Sequence, residues 1–432
     1  MKMANMDDYF DVVIVGTGAA GLYCALNLPA RYRILLLTKQ KADESDSFLA
    51  QGGICMQHGE ADYRPFFDDT MRAGHYENNP ATVDLMIRSS NSIIRDLVRR
   101  GVRFARDDHG ALRFTREGAH SRPRILFHED ITGHEITQTL LNEVLRCENI
   151  ELREHTTLLD FFADASACGG VIAAGPDGEP RAIGAGAVVL ACGGIGGLYK
   201  NSTNFPHITG DAIAMALRHG VACEHLDYIQ IHPTTLYSHR KGRRFLISES
   251  VRGEGALLLD KNGNRFTNEL QPRDVVSAAI RAQMEKDGTD HVWEDMRPIG
   301  EAAIREHFPN ILERCEEEGY DPIHEPIPVV PAQHYFMGGI TADLSSRTAL
   351  PRLYACGETC CNGVHGRNRL ASNSLLESLA FAQRAADDIL YGEPPVFTGD
   401  KPDLAPYREQ EPLFAAYRQD VLTAIERSKN HE

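Results

Sequence analysis

The sequence predicts an α/β fold, in which a doubly wound parallel sheet receives an inserted second domain of α+β type. Two observations support this prediction. Short β-branched and aliphatic runs alternate with helical segments early in the chain, and a strand of the same kind returns at residues 353–356. Such runs are typical of buried parallel strands. Between about residues 226 and 336 the sequence pattern changes, with turn signals and several prolines, and this change indicates an inserted domain.

The first β-α-β unit is predicted from the amino terminus onward. Residues 11–15 form a β-branched strand, the glycines of residues 16–21 follow at once, and residues 22–28 begin a helix. A second apolar strand covers residues 32–38. Parallel neighbours of this kind need a right-handed crossover.

Later elements follow from periodicity and turn signals. Helices are predicted at residues 80–101, 131–146, 374–389 and 411–427, a β-rich region at 150–171, a buried strand at 185–192, and linker segments at 392–395 and 400–403. The predicted domains are residues 1–225 with 337–390, the capping insertion 226–336, and a linker with a short C-terminal helix at 391–432.

Composition excludes several classes of partner. The 61 acidic residues outnumber the 45 Lys and Arg, and the net charge of −16 argues against nucleic acids and anionic membranes. No apolar run approaches ~18 residues and the first ten residues do not resemble a signal peptide, so a cytoplasmic protein is expected. The ten cysteines form no CxxC pair and no metal site is predicted. The adjacent Cys360 and Cys361 are either redox-active or packed in the core.

The glycine pattern of Gly16, Gly18 and Gly21 predicts a dinucleotide site. It follows a strand and opens a helix, and this context lets a pyrophosphate approach the free N–H groups of the helix N-terminus. NAD and FAD share the pattern. The second strand ends in Thr38 and Lys39, where an NAD enzyme usually places an acid for the ribose, and this weakens the NAD interpretation.

Eight further motifs occur in a fixed order along the chain. They are Ala50-Gln-Gly-Gly53, Thr132-Gly-His-Glu135, Gly210-Asp211, His232-Pro-Thr234, Ser250-Val-Arg-Gly-Glu-Gly255, Arg273-Asp-Val-Val276, Gly357-Glu358, and the run from Asn368 through Ser374 to Glu377. The set resembles the flavoprotein family of succinate dehydrogenase, fumarate reductase and L-aspartate oxidase. Within that family, residues 115–121 and 364–369 look most like the L-aspartate oxidase branch.

The resemblance implies FAD in a Rossmann-like domain. The cofactor-binding residues implied are Gly16, Gly18, Ala19, Gly21, Lys39, Ser47, Ala50, Gln51, Gly52, Gly53, Asp211, Glu358, Ser374 and Leu375. The glycines would hold the pyrophosphate, Asp211 and Glu358 the polyol and ribose hydroxyls, and Ser374 with Leu375 the isoalloxazine ring. Respiratory members carry a flavin-linking histidine where this chain has Asp46, so non-covalent FAD is expected.

The resemblance also implies a dicarboxylate site. Its catalytic residues would be His232, Arg273, His334 and Arg369, with Gln230, Ser248 and Glu249 in the same pocket as substrate-binding residues. An arginine suits this work because its planar guanidinium pairs with a carboxylate through two parallel hydrogen bonds. Ser248 stands where the family usually has threonine, which keeps the hydroxyl.

Glu117 is the residue expected to separate aspartate from succinate. The two substrates differ by an α-ammonium group, which needs an anionic or hydrogen-bonding partner when it is buried. Glu117 looks like that partner. Arg273 resembles the residue that transfers a proton at the substrate's Cβ. Arginine is essentially always protonated, so a role as base is demanding, and a hydride transfer from Cα that needs no base at Arg273 is the alternative.

The predicted function is FAD-dependent oxidation of L-aspartate to iminoaspartate, with oxygen or fumarate as electron acceptor. The family resemblance makes this the first step of NAD biosynthesis, in which quinolinate synthase consumes the product. A soluble fumarate reductase or succinate dehydrogenase flavoprotein is the alternative, and a flavin-binding protein that has lost catalysis is a third. Family members usually continue into a C-terminal helical bundle, where this sequence has a linker and one predicted helix.

Overall fold

A computed structural model describes residues 8–239, 242–392 and 399–430 of the chain. The strands are β1 (Tyr9–Val15), β2 (Ile34–Leu37), β3 (Ile54–Cys55), β4 (Phe114–Thr115), β5 (Ile125–Leu126), β6 (Ile150–Arg153), β7 (Thr157–Ala163), β8 (Cys168–Ala174), β9 (Pro180–Leu190), β10 (Cys223–Glu224), β11 (Ile229–Leu236), β12 (Leu257–Leu259), β13 (Val292–Asp295), β14 (Ile327–Phe336), β15 (Gly339–Thr341), β16 (Leu353–Ala355) and β17 (Cys360–Cys361).

The α-helices follow the same numbering. They are α1 (Ala19–Asn27), α2 (Tyr63–Ala73), α3 (Pro80–Arg100), α4 (Thr132–Val144), α5 (Asp211–Arg218), α6 (Glu249–Gly253), α7 (Arg273–Asp287), α8 (Glu301–His307), α9 (Pro309–Glu317), α10 (Asn373–Tyr391) and α11 (Gln410–Lys429). No helix among the described residues is long and apolar enough to cross a membrane.

The central sheet is parallel through its middle and antiparallel at one side. Strands β6, β2, β1 and β9 pair in that order and all run parallel. The other edge of β9 is shared, with β16 parallel to its last residues and β8 antiparallel to its first ones. Strand β7 continues the antiparallel part. The predicted parallel strands are confirmed, and the β-rich region after residue 150 supplies β6, β7 and β8.

Helices cover both faces of this sheet, as the doubly wound prediction requires. Alternate strand residues such as Val12 and Ile14 pack against α1, α3, α4 and α10. Their neighbours Val13 and Val15 face the opposite side, where α5 and α11 pack. Because side chains alternate along a strand, strands buried on both faces must be apolar throughout. The continuous aliphatic runs in the sequence therefore reflect two separate cores.

A second sheet, in the order β11, β14, β13 and β12, is antiparallel throughout. Its apolar residues share a separate core with α6 to α9, which extends from Leu236 to Val329 and includes Ile280 and Ile311. This core lies within the segment predicted as the capping insertion. The predicted boundaries at residues 226 and 336 stay a prediction.

The helix predicted at residues 411–427 is α11, and it packs on the central sheet. The Tyr417 hydroxyl donates to the Leu159 carbonyl at 2.8 Å, and Arg218 of α5 pairs with Asp420. Residues 400–403 of the predicted linker form no helix or strand. In the other linker segment, residues 393–395 lie outside the described residues.

The buried Glu294 on β13 predicts that the stability of the protein depends on pH. Its side chain is fully buried, and neither carboxyl oxygen has a hydrogen-bond partner among the described residues. Burial raises the pKa of Glu294 to about 8, although Arg252 opposes the shift. The folded state therefore holds a proton that the unfolded chain releases near pH 4.5.

We expect the free energy of unfolding of the apoprotein to fall as the pH rises from 4.5 to about 8, because the unfolded chain has then released the proton that folded Glu294 still holds. One bound proton contributes a slope of up to ~1.4 kcal/mol per pH unit. Glu294→Gln should flatten the slope, as measured by urea unfolding from pH 5 to 8, and Glu285→Gln at an exposed site of α7 is the control. Equal slopes in wild type and Glu294→Gln would contradict the assignment.

Candidate active site

The candidate site is a cleft beyond the carboxyl ends of β1, β2, β9 and β16. It holds about 1710 Å³ of empty space, including the part open to solvent. Three helices begin at its wall, α1 after Gly18, α5 after Gly210 and α10 after Ser372. Helix N-termini carry free N–H groups and partial positive charge. The cleft is therefore suited to a large anionic ligand, at the position where open α/β sheets bind ligands.

The glycine turn between β1 and α1 is shaped by close backbone contacts. Gly16 has a φ of +114°, and a Cβ atom there would lie 2.1 Å from the Ala191 carbonyl oxygen. A Cβ on Gly21 would lie 1.9 Å from the Gly16 carbonyl oxygen. The Ser47 hydroxyl accepts a hydrogen bond of 3.0 Å from the Ala19 N–H at the start of the helix. Only glycine can occupy positions 16 and 21 without displacing the backbone of the turn, because any Cβ atom there would clash with a carbonyl oxygen.

Most residues predicted to bind the cofactor lie along this cleft. Those that line it are Gly16, Gly18, Lys39, Ser47, Ala50, Gln51, Gly52, Gly53, Asp211, Glu358, Ser374 and Leu375. Ala19 and Gly21 are buried in the first turn of α1 just behind the lining residues. The structure thus brings together segments that are far apart in the chain, although their individual roles stay predictions.

Lys39 and Asp211 form an ion pair inside the cleft. The Lys39 ammonium also donates to the His207 carbonyl at 3.1 Å, and it lies 5.1 Å from the centre of the Phe414 ring. Phe414 belongs to α11, so the last helix contacts the cofactor cleft through this lysine. The sequence predicted Lys39 and Asp211 as separate contacts and did not predict that they pair.

Unpartnered polar atoms in the cleft fit a polar cofactor. Asp46 Oδ2, Gln51 Oε1 and Ser45 Oγ are buried without a hydrogen-bond partner among the described residues, and all three residues line the cleft. Burial raises the pKa of Asp46 to about 7. Buried polar groups are rarely left unsatisfied, so these atoms are suited to bind the hydroxyl and ring N–H groups of a dinucleotide such as FAD.

Two buried arginines form the positive end of the cleft. Arg273 begins α7, where its Nε donates to Glu249 Oε2 at 2.5 Å and its Nη1 to Gln230 Oε1 at 2.9 Å. Arg369 donates to the same Gln230 oxygen at 3.2 Å from both Nε and Nη2, and to the Ser374 hydroxyl at 2.7 Å. Burial and the neighbouring Arg273 lower the pKa of Arg369 to about 10. The side-chain oxygen of Gln230 therefore accepts hydrogen bonds from both positively charged guanidinium groups.

Gln230 and His232 lie behind the lining residues of the cleft. Gln230 Nε2 donates to Asn368 Oδ1 and to the Arg369 carbonyl, both at 2.8 Å. His232 is fully buried, with Nδ1 next to the Thr234 backbone and Nε2 unpartnered among the described residues. Neither residue lines the cleft, and their predicted contacts with substrate stay predictions.

His334 on β14 lines the cleft and packs edge-on against His232, with ring centres 5.2 Å apart. The Thr203 hydroxyl lies 2.7 Å from His334 Nδ1. Burial and the charge of Arg273 lower the pKa of both histidines well below the usual range. Both imidazoles are therefore neutral near pH 7, and they offer hydrogen bonds rather than charge. The predicted positive cluster consists of Arg273 and Arg369.

Glu117 and Glu249 are two buried carboxylates on the same side of the cleft. Glu117 Oε2 accepts from the Ser372 hydroxyl at 2.7 Å, and Oε1 accepts from the Ser250 hydroxyl at 3.0 Å. Burial and the nearby Glu249 raise the pKa of Glu117. Burial alone would raise the pKa of Glu249 too, but Arg273 and Arg252 hold it below its usual range. Ser248, also predicted, caps α6 and lines the cleft.

A buried ion network supports the loop that carries Glu117. Arg124 is fully buried and donates to Asp69 at 2.8 Å and to Asp62 at 3.0 Å. Its Nη1 also lies 2.9 Å from His120 Nδ1, while Ser121 donates to Asp69 from both its N–H and its hydroxyl. Sequence reasoning missed this network, and nothing local marks the two aspartates, which lie more than 50 positions away.

Cys360 and Cys361 do not line the cleft, whereas Cys192 and Cys356 do. All ten are free, and Cys360 and Cys361 are buried on β17. Burial raises the pKa of Cys361 to about 12 and that of Cys360 well above its usual value. Since the thiolate is the reactive form, packing is the better explanation for both. Among the described residues no group of three His, Cys, Asp or Glu could hold a metal ion.

The cleft and its glycine turn have the geometry of a flavoprotein site, and comparison with known families agrees. The sequence profile of the FAD binding domain matches residues 11–375, so FAD is the cofactor. The chain is 48% identical to L-aspartate oxidase of Clostridium perfringens over 380 residues, which cover 88% of this chain and 86% of that protein. The chain belongs to the L-aspartate oxidase family.

Other relatives agree with this assignment. L-aspartate oxidase of Nostoc sp. is 44% identical over 442 residues, which cover 98% of this chain and 76% of that protein. A structure of E. coli quinol fumarate reductase matches this chain with a TM-score of 0.83 and 31% identity. The matched region covers 95% of this chain and 74% of the reductase chain. The family predicted from the ordered motifs is confirmed.

Gly21→Ala should abolish tight FAD binding, because the new methyl group displaces the Gly16 carbonyl and opens the turn. Flavin absorbance of the purified protein and FAD titration of the apoprotein by fluorescence quenching measure the effect. Gly175→Ala is the control, since its Cβ would find no atom closer than 3.9 Å. Wild-type FAD affinity in Gly21→Ala would show that the turn does not hold the cofactor.

Proposed function

We propose that this chain uses FAD to oxidise L-aspartate to iminoaspartate, with oxygen or fumarate as the electron acceptor. The observation that carries the proposal is the charge arrangement at one end of the cleft. Two arginines, Arg273 and Arg369, share this end with the carboxylate of Glu117. L-aspartate carries two carboxylates and one ammonium group, so each of its charges finds a group of opposite sign.

The arginines bind the two carboxylates of the substrate. Arginine pairs with a carboxylate through parallel N–H donors, and these bonds are stronger than neutral ones. Gln230 holds the two guanidinium groups by a common acceptor. The remaining repulsion between the two guanidinium groups is relieved when two carboxylates bind, so we expect a dicarboxylate to bind more tightly than a monocarboxylate.

Glu117 recognises the substrate ammonium group. Each of its oxygens already accepts one serine hydroxyl and keeps lone pairs for N–H donors. Glu249 is occupied by Arg273 and is therefore the weaker candidate for this contact. The neutral His334, whose pKa is held low by burial, donates or accepts a hydrogen bond at the same end of the cleft without adding charge.

The chemistry that FAD supplies when bound is acceptance of a hydride, which removes two electrons in one step. The residues of this chain orient the Cα–H bond of the substrate and exclude water. Glu117, Arg369 and Arg273 are only 3%, 5% and 7% exposed, so their interactions act in a medium of low dielectric constant. Loss of the Cα hydrogen as a hydride gives an imine only if the ammonium group also releases a proton. The Glu117 carboxylate proposed to lie beside that group can accept the proton, so this route requires no base at Arg273.

The alternative function is that of a fumarate reductase or succinate dehydrogenase flavoprotein, in which Glu117 would have no role. The same arginines and histidines suit any dicarboxylate, and the related E. coli structure is a quinol fumarate reductase. A cytoplasmic location, a functional link to quinolinate synthase and non-covalent attachment of FAD are further proposals, the last supported by Asp46 at the position of the linking histidine.

Anaerobic mixing with substrate tests the proposal. L-aspartate should bleach the flavin absorbance band of the purified protein, while succinate should not. Glu117→Gln loses the charge that binds the ammonium group, and a charge-assisted hydrogen bond of this kind corresponds to a roughly 10- to 100-fold rise in the KM for L-aspartate.

Glu129→Gln, at an exposed glutamate of the same region, is the matched control and should behave as wild type. Bleaching by succinate but not by L-aspartate would overturn the proposal and favour the fumarate reductase function. An unchanged KM in Glu117→Gln would remove Glu117 from substrate recognition.

A further inference from the structure

Ser372 holds its hydroxyl against Glu117 in an unusual backbone conformation. Its φ of +61° lies in the left-handed region, which is uncommon for residues other than glycine. The hydroxyl donates to Glu117 Oε2 at 2.7 Å and accepts from the Gly53 N–H at 3.1 Å. The Ser372 carbonyl accepts from the Cys55 N–H at 3.0 Å. Strained residues persist where the surroundings define them strongly, often at functional sites.

Ser250 reaches the same carboxylate from the other side. It lies on α6, which packs in the core of the second sheet, whereas Ser372 precedes α10 on the central sheet. Its hydroxyl donates to Glu117 Oε1 at 3.0 Å. A Cβ on Gly52 would lie 2.6 Å from that oxygen, so the carboxylate also rests against the backbone of the cofactor cleft. Glu117 is thus confined from three directions.

We infer that Ser250 and Ser372 are positioning residues that hold Glu117 ionised and aimed at the substrate ammonium group, and that they thereby set the preference for amino dicarboxylates. This inference rests on the proposed function. Each serine donates one hydrogen bond to a different carboxylate oxygen, which leaves lone pairs on both oxygens for the ammonium N–H groups.

A comparison within the cleft supports the need for two donors. Asp46 is also a buried carboxyl, but its Oδ1 accepts from the Phe205 N–H at 2.8 Å, and its Oδ2 has no hydrogen-bond partner among the described residues. Hydrogen bonds to the charged form favour ionisation, and a buried carboxyl without them is neutral more readily. A neutral Glu117 would lose its charge for the ammonium group. The serines matter only for substrates that carry that group.

The test compares two ligands in the same holoenzyme. Ser250→Ala and Ser372→Gly each remove one hydroxyl, and glycine also relieves the positive φ, so Ser372→Gly does not add strain. We expect the KM for L-aspartate to rise ~10-fold in each variant with kcat changed much less, because a donor to a charged group is lost. The Kd for fumarate, followed by perturbation of the flavin spectrum, should stay within about 2-fold because fumarate carries no ammonium group.

Two further variants complete the design. Ser250→Thr keeps the hydroxyl and should restore the wild-type KM, while Ser89→Ala on α3, whose hydroxyl donates only to Leu85, is the neutral control. An equal loss for L-aspartate and fumarate, or no loss for L-aspartate, would overturn the inference while leaving the oxidase function intact. A wild-type protein that is not bleached by L-aspartate would instead overturn the proposed function, and the inference with it.

Discussion

Two buried guanidinium groups on one amide oxygen are the interaction on which the substrate end of the site depends. Arg273 and Arg369 both donate to Gln230 Oε1. Like charges in a buried site repel, and burying each of them carries a desolvation penalty. The protein offsets part of this with Glu249 and with the ring of Tyr335, which lies 4.6 Å from the Arg369 guanidinium carbon. The remaining positive potential supports the proposal that a dianion binds at this end of the cleft.

The same constraint explains why the neighbouring histidines are neutral. A third or fourth positive charge beside Arg273 would raise the repulsion further, so the pKa values of His232 and His334 are held low by burial and by that charge. Neutral imidazoles can still accept and donate hydrogen bonds. In the proposed site, arginine therefore supplies positive charge, while histidine and serine supply hydrogen-bonding groups without charge.

Much of the fold could be predicted because local signals coincide with tertiary position. The run of residues 12–15 is apolar on both faces, and the glycines after it mark a turn that β1 and α1 confirm. The antiparallel arrangement of β7 to β9 was not predicted, although the connections at residues 164–167 and 175–179 are too short for a parallel crossover. Of the ordered motifs, those at residues 50–53, 210–211, 273–276, 357–358 and 368–377 contribute residues that line the cleft.

The side-chain partners were the part that sequence could not supply. Ser250 and Ser372 lie inside motifs that were recognised, but nothing in a linear motif says that both hydroxyls reach Glu117. The sequence likewise gives no signal for the pairing of Arg124 with Asp62 and Asp69, because buried ion pairs depend on three-dimensional geometry and not on sequence spacing. Gln230 was predicted to bind substrate, and its position behind the arginines follows only from the packing of β11 against the loop before α10.

The cofactor cleft joins residues from opposite ends of the chain, and this has a consequence for biosynthesis. The Gly53 N–H donates to the hydroxyl of Ser372, which lies 319 positions later. While the ribosome is still making the segments between them, the glycine turn has no completed site to hold FAD. Cofactor binding stabilises only the state that can bind it. The early β-α-β unit is therefore synthesised before the FAD site is complete, and FAD can stabilise the fold only once both segments are present.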